Sequence, residues 1–124
     1  MESLIIFDCS DYSKSIVDVL KMFQQIGWQI FNPQNKVEYL PVGDDDNYDW
    51  QVDDISESDV FDIISNKIAL KEQVGINLYF ADGIEGLSML AYDTKKIMLS
   101  LDINRRTVKD RYTDTSWYID NIIL

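Results

Sequence analysis

The sequence predicts a single α+β domain built on a mostly antiparallel sheet with three packed helices. Three observations predict it. A chain of 124 residues fits one domain, and a hydrophobic content of 46 % supplies a core. Apolar residues recur at helical spacing in some segments and at every second position in others. The strand-like segments come in runs and do not alternate one for one with helices, which favours α+β over a doubly wound parallel sheet. The order read along residues 1–124 is β-α-β-β-α-β-β-β-α.

The elements follow in turn. Residues 4–7 are a short apolar run closed by Asp8, the signature of a strand. Tyr12, Ile16, Val19, Leu20, Phe23 and Ile26 then recur at steps of three and four, one stripe of a helix. Ser10 or Asp11 suits its start, where free amides need an acceptor. Gly27 suits its end, since glycine enters the left-handed region at little cost. Residues 28–31 and 36–42 read as two strands of a hairpin, joined by the turn Asn32-Pro33-Gln34-Asn35. Residues 43–55 are too charged for core and read as a polar loop. Asp54, Ser56 or Ser58 can cap a second helix over 57–72. Glu57 and Asp59 complement its positive end, and Lys67 and Lys71 its negative end. Phe61, Ile64 and Ile68 form its expected buried face, with Val60 beside them.

The period-two pattern is clearest after residue 73. Val74, Ile76, Leu78 and Phe80 alternate with Gly75, Asn77 and Tyr79. Asp82-Gly83 favours a tight hairpin turn. Residues 84–92 form the return strand, 93–95 turn again, and Ile97, Leu99, Leu101 and Ile103 share a face of the next strand. A basic connection follows. Thr113 or Asp114 then caps a last helix reaching Leu124, anchored by Trp117, Ile119, Ile122 and Ile123.

Charge divides the chain in two. Residues 1–62 hold 14 acids against 3 bases, and residues 63–124 hold 8 of each, so the whole net charge of −11 lies in the first half. Residues 38–62 contain ten acids and no base. Charge that served solubility alone would be spread evenly. A one-sided field attracts a cation, a metal or a basic macromolecule. It disfavours direct binding to nucleic-acid phosphate, which calls for Lys and Arg. Arg105, Arg106, Lys109 and Arg111 are the one basic cluster, and Asp102 and Asp110 dilute it.

Several chemistries are excluded by composition. There is no histidine, which removes Ser-His-Asp and Cys-His catalysis and the commonest zinc ligand. Cys9 is the single cysteine, so no disulfide closes within the chain and a reducing compartment is expected. Neither glycine-rich phosphate-binding motif is present. A calcium loop starting at Asp45 would place Trp50 where the glycine is needed and Ser56 where the bidentate Glu is needed. The N-terminus lacks the positive and apolar regions of a signal peptide, and no apolar run is long enough to span a bilayer. The expectation is a cytoplasmic, non-enzymatic protein with no cofactor and no metal.

The stretch from Asp44 to Asp54 interleaves acids with Tyr48 and Trp50. Aromatic anchors supply contact area while surrounding charge steers the encounter. The expected partner-binding residues are Asp44, Asp45, Asp46, Tyr48, Asp49, Trp50, Asp53, Asp54 and Glu57. Trp50 and Tyr48 could equally tuck into the core beside the loop. Basic clefts belong typically to nucleases, whose cations grip phosphate. An inhibitor that fills such a cleft is the function the charge favours. A mimic of DNA charge is the alternative, although it would spread its acids at duplex-like intervals through both halves. A carboxylate enzyme using a divalent metal is a third reading.

Small size, acidity and the α+β order carry a family resemblance. So do Gly86-Leu87-Ser88-Met89-Leu90, the strand over 97–102 and the segment Thr113-Asp114-Thr115-Ser116-Trp117-Tyr118-Ile119. In these the chain resembles bacterial immunity proteins of contact-dependent growth inhibition and related polymorphic toxin systems. The resemblance implies a cytoplasmic, non-enzymatic protein that binds one cognate toxin domain, often a nuclease. It transfers no contact residue, because such proteins differ in fold.

Overall fold

A computed structural model describes residues 4–80, 85–103, 107–108 and 112–113. The leading strand is as expected, β1 at Leu4–Phe7. Helix α1, Ile16–Gln25, starts later than the sequence suggests. Asp8 Oδ1 accepts from the backbone N–H of Ser10 at 2.9 Å and from its hydroxyl, and the turn this closes delays the helix. Tyr12 therefore precedes α1 and is exposed, off the stripe. Ser15, not Ser10 or Asp11, holds the N-cap position, and its own N–H donates to Ser13 Oγ at 3.0 Å. Ile16, Val19, Leu20 and Phe23 are buried as their spacing requires. Gly27 ends the helix at φ +109°, and a Cβ there would meet the Phe80 ring at 3.2 Å.

Trp28–Gln29 forms β2, and its ring stacks edge-on against Phe80, centroids 5.2 Å apart. Val37–Tyr39 forms β3. These two were expected to pair as a hairpin. Phe31 and Val37 bridge, but β2 and β3 themselves lie end to end along one neighbour, β5 (Val74–Phe80), at Phe80 and Tyr79 and at Ile76 respectively. Asn32 explains the excursion between them. Its Oδ1 accepts from the N–H groups of Gln34 and Lys36, both at 2.9 Å, and closes the turn on itself.

Part of the expected loop over 43–55 is a strand. Gln51–Asp53, β4, pairs antiparallel with β3, Val37 opposite Asp53 and Tyr39 opposite Gln51. Its charge reads as loop because Val52 and Asp53 are exposed. Helix α2 runs over Glu57–Ala69. Ser56 caps it in a reciprocal box with Asp59. It stops three residues short of the expected end because Lys71 turns left-handed at φ 60°, so that the N–H of Glu72 reaches Lys67 O and that of Lys71 reaches Ile68 O. Its buried face is Val60, Ile64 and Lys67, while Phe61 is half-buried and Ile68 exposed.

The meander follows as expected: β5, then β6 at Gly86–Ala91 and β7 at Ile97–Ile103. The Asp82-Gly83 turn between β5 and β6 lies outside the described residues. Thr107–Val108 and Tyr112–Thr113 form a small antiparallel pair, β8 and β9, within the expected basic connection. Two helices are present among the described residues. The third falls on residues outside them, except that Thr113, offered as its cap, is in β9. Arg105, Arg106, Lys109 and Arg111 also lie outside.

The result is α+β with a seven-stranded sheet of order β1-β7-β6-β5-β3-β4, β2 also pairing with β5, and every pairing antiparallel. Register places Ile76 opposite Met89 and Met89 opposite Leu99. These residues, with Leu78, Leu87 and Ile97, form one core with the buried faces of α1 and α2. Strand β5 is buried on both faces, not half-buried, because Leu40 lies over Gly75. A Cβ there would come within 2.5 Å of Leu40 Cδ1.

Candidate functional site

The acids divide along α2. A helix of 13 residues is roughly 20 Å long at about 1.5 Å per residue. Asp44 and Asp45 sit against its C-terminal end, whereas Asp54 and Glu57 flank its N-terminus. Asp49 and Trp50 link the two groups, and Asp53 is on the edge strand β4. The expected acids other than the buried Asp44 thus follow this loop and edge strand as a ridge, with Tyr48 and Trp50 among them.

Lys67 fixes one end of the ridge. It is fully buried, yet it is an ion. Burial of an ammonium group requires full compensation. Lys67 Nζ donates to Pro41 O at 2.7 Å and Asp44 O at 2.5 Å, and it pairs with Glu72 Oε1 at 3.3 Å. Glu72 Oε1 also accepts from the N–H of Gly43 at 2.8 Å. The loop carrying the acids is therefore strapped to α2.

Asp44 is part of that strap and not part of the exposed acidic surface. It is 5 % exposed. Its carboxylate accepts from the N–H groups of Asn47, Tyr48 and Asp49 at 3.0, 3.2 and 2.8 Å. Asp45 is also engaged. Its Oδ1 accepts from the N–H of Gln73 at 2.8 Å, and its carboxylate accepts from the Tyr92 hydroxyl. The Gln73 bond first, then the Tyr92 bond, hold its carboxyl below the usual carboxylate range. Asp46, Asp49, Asp53, Asp54 and Glu57 are exposed, though Asp53 accepts from the Tyr39 hydroxyl at 2.7 Å. Burial, followed by that bond and the charge of Asp53, pushes the Tyr39 phenol up to about 12.

Tyr48 is 50 % exposed and sits at φ 54°. A non-glycine residue in that region carries backbone strain of about 1–2 kcal/mol. The bonds from Asp44 hold it there. Tyr92, at the end of β6, is 51 % exposed beside Asp45. Its bond to Asp45, chiefly, pushes its phenol up, and Asp46 and Tyr48 are close enough to add to the shift. Two exposed tyrosines thus stand among Asp45 and Asp46. Trp50 is half-buried and lies outside the main core cluster.

Sequence reasoning missed Tyr92 and Lys67. Tyr92 is distant in sequence from the acids, and only the β5–β6–β7 meander brings it to them. Lys67 did leave a signal, since Val60, Ile64 and Lys67 repeat at steps of four and three on one helix face.

A second polar cluster lies on the sheet face away from the helices. Glu38 Oε1 accepts from Asn77 Nδ2 at 2.9 Å and from the Tyr79 hydroxyl, and Oε2 accepts from Asn32 Nδ2 at 2.9 Å. Burial alone would raise the Glu38 carboxyl, but the bonds from Asn77, Tyr79 and Asn32 outweigh it and leave it lowered. Both oxygens are satisfied, so the cluster locks β3 to β5 and leaves no carboxylate free for acid–base work. Among the described residues no group of three or more acids or cysteines is arranged to hold a metal ion. None of their helices is long and apolar enough to cross a membrane.

Comparison with known protein families, curated proteins and solved structures returned no match.

Proposed function

We propose that this protein is a non-enzymatic inhibitor that captures a basic protein domain on its acidic edge. The partner expected is a cognate toxin domain of the nuclease kind, as in the immunity proteins that the chain resembles. The observation that carries the reading is the strapped loop. Solubility calls for charge alone. It does not call for a buried lysine, a buried aspartate and a left-handed tyrosine that together hold one loop in one shape. Such pre-organisation lowers the ordering cost of association. Tyr48 and Tyr92 offer anchors, and Asp46, Asp49, Asp53, Asp54 and Glu57 supply the steering field.

The test uses the bound partner isolated by affinity capture from cells of the same origin. The reading expects a polypeptide of positive net charge whose association slows as NaCl is raised, since screening acts beyond about 8 Å at physiological ionic strength. Reversal of Asp46, Asp49 and Asp54 to Lys leaves the fold intact, because those side chains lie on the exposed edge, and abolishes capture. Capture that survives this triple reversal at unchanged affinity refutes the reading.

A further inference from the structure

Beside Asp45 the fold hides an acceptor without a donor. Gln73 is 3 % exposed, and among the described residues nothing donates to its Oε1. Buried polar groups are hydrogen-bonded as a rule. Strand register shows what covers this one. Val74 and Ala91 are opposite each other and both face the core. The same register carried one residue further sets Gln73 opposite Tyr92, on the other face of the sheet. Gly75 O accepts from the N–H of Leu40 at 2.9 Å, so the backbone groups of residues 73 and 75 point toward the β3 side. Asp45 accepts from the Gln73 N–H at 2.8 Å and therefore lies on that side. Tyr92 starts on the β6 side, yet its hydroxyl reaches Asp45. Its ring must cross over the Gln73 side chain.

We propose that Tyr92 is a lid, and that an arginine side chain of the captured domain lifts it to bind Asp45 and Gln73 Oε1 together. The inference rests on the inhibitor reading and names the chemistry that the partner brings to this end of the acidic edge. Tyr92 is 51 % exposed just past the end of β6, so its hydroxyl can exchange Asp45 for water at little cost. With the lid closed, Gln73 Oε1 has no donor. With an arginine in place, both acceptors are met. A ligand shifts a protein between two forms by such a difference in contacts.

A guanidinium fits all three groups. Its N–H donors lie in a planar fork that meets a carboxylate and an amide oxygen side by side. Its face stacks on an aromatic ring, and the lifted Tyr92 supplies one. Its charge is drawn by Asp46, which with Tyr48 lies close enough to shift the Tyr92 phenol. A lysine ammonium is a point charge with no face to stack, so it fits less well. A metal ion also fits less well, since among the described residues no three acids or cysteines are arranged to hold one. The acids alone would accept any cation. The covered amide oxygen adds the demand for a directed N–H.

The experiment titrates the nitrogen-labelled full chain with Nα-acetyl-arginine amide, and separately with Nα-acetyl-lysine amide, at constant ionic strength. Concentrations reach about 20 mM, a range suited to the weak binding of one side chain. The arginine probe is expected to move the Gln73 side-chain amide and the Tyr92 backbone amide to saturation, with the lysine probe several-fold weaker. Gln73→Met keeps the length of the side chain and removes the acceptor, so arginine binding falls to the lysine level. Tyr92→Phe removes the bond that holds the lid down, so arginine binding tightens. That variant decides the matter should Gln73→Met fail to fold. Shifts that never saturate, equal responses to the two probes, or arginine binding indifferent to both substitutions each overturn the proposal. Capture of a basic partner with no arginine response at Gln73 overturns this inference alone. Saturable arginine binding with no basic partner captured overturns the inhibitor reading alone.

Discussion

Replacing Lys67 with Met keeps most of the side chain's length and apolar stem but removes the ammonium group. Three acceptors then lose their partner: Pro41 O, Asp44 O and Glu72 Oε1. A hydrogen bond to a charged group contributes about 1.5–3 kcal/mol, but the three are not additive. Removing one member of a buried ion pair costs about 3–5 kcal/mol. Lys67 is fully buried, and Glu72 is 15 % exposed, so part of the Glu72 charge can recover water. A loss of about 3 kcal/mol is therefore expected, a large share of the roughly 5–15 kcal/mol that holds a domain together. Urea unfolding of the two proteins measures it. Amide hydrogen exchange adds a local readout, since the N–H groups of Asn47, Tyr48 and Asp49 depend on the position of Asp44. Their protection should fall first. A stability change below about 1 kcal/mol, with protection at those amides unchanged, would show that the strap does not hold the loop.

Three further outcomes follow from single contacts. Lys71→Gly should raise stability by about 0.5–1 kcal/mol, because Lys71 holds φ 60° at the end of α2 and glycine occupies that region without steric cost; thermal unfolding reads it, and a lowered midpoint would contradict the account. Gly75→Ala should cost about 1–3 kcal/mol, since the new methyl would meet Leu40 at 2.5 Å with no room on the Leu90 side; a neutral result would mean that Leu40 is free to move aside. The Glu38 carboxyl is lowered in the fold, so its stabilisation is fully present above the ordinary carboxylate value near 4.5 and is lost as pH falls through the lower folded value. The stability gap between wild type and Glu38→Gln should then be widest near pH 7 and close in acid, and a gap independent of pH would exclude the network as its cause.

What the sequence revealed depends on how strongly one physical rule governed each segment. The β5–β7 meander was legible because its pattern of alternation meets a buried sheet face directly. The sequence offered Ser56 as one of three caps for α2 and placed Asp59 in its first turn for the helix dipole, but which cap is used, and the reciprocal box it forms with Asp59, came only with the structure. Strand β4 was not legible, because an edge strand wet on both sides carries no apolar alternation. The start of α1 moved because the local turn at Asp8 and Ser10 overrode a stripe that seemed to begin at Tyr12. In the site, the exposed acids were legible as charge. Asp44 was counted with them, yet it is a buried acceptor, a distinction that depends on which backbone amides the loop turns inward. Lys67 was read by type, as a base that complements the negative end of α2, when its spacing placed it on the buried face.

The central claim is that the acidic edge, held in shape by Lys67 and Asp44, is the binding surface. Amide chemical-shift mapping of the labelled chain against its isolated partner tests it most directly. The account predicts the largest shifts at Asp45, Asp46, Tyr48, Asp49, Tyr92 and Asp54, shrinking as NaCl is added. Shifts confined to β1, β6 and β7 away from Tyr92, and indifferent to salt, would contradict it.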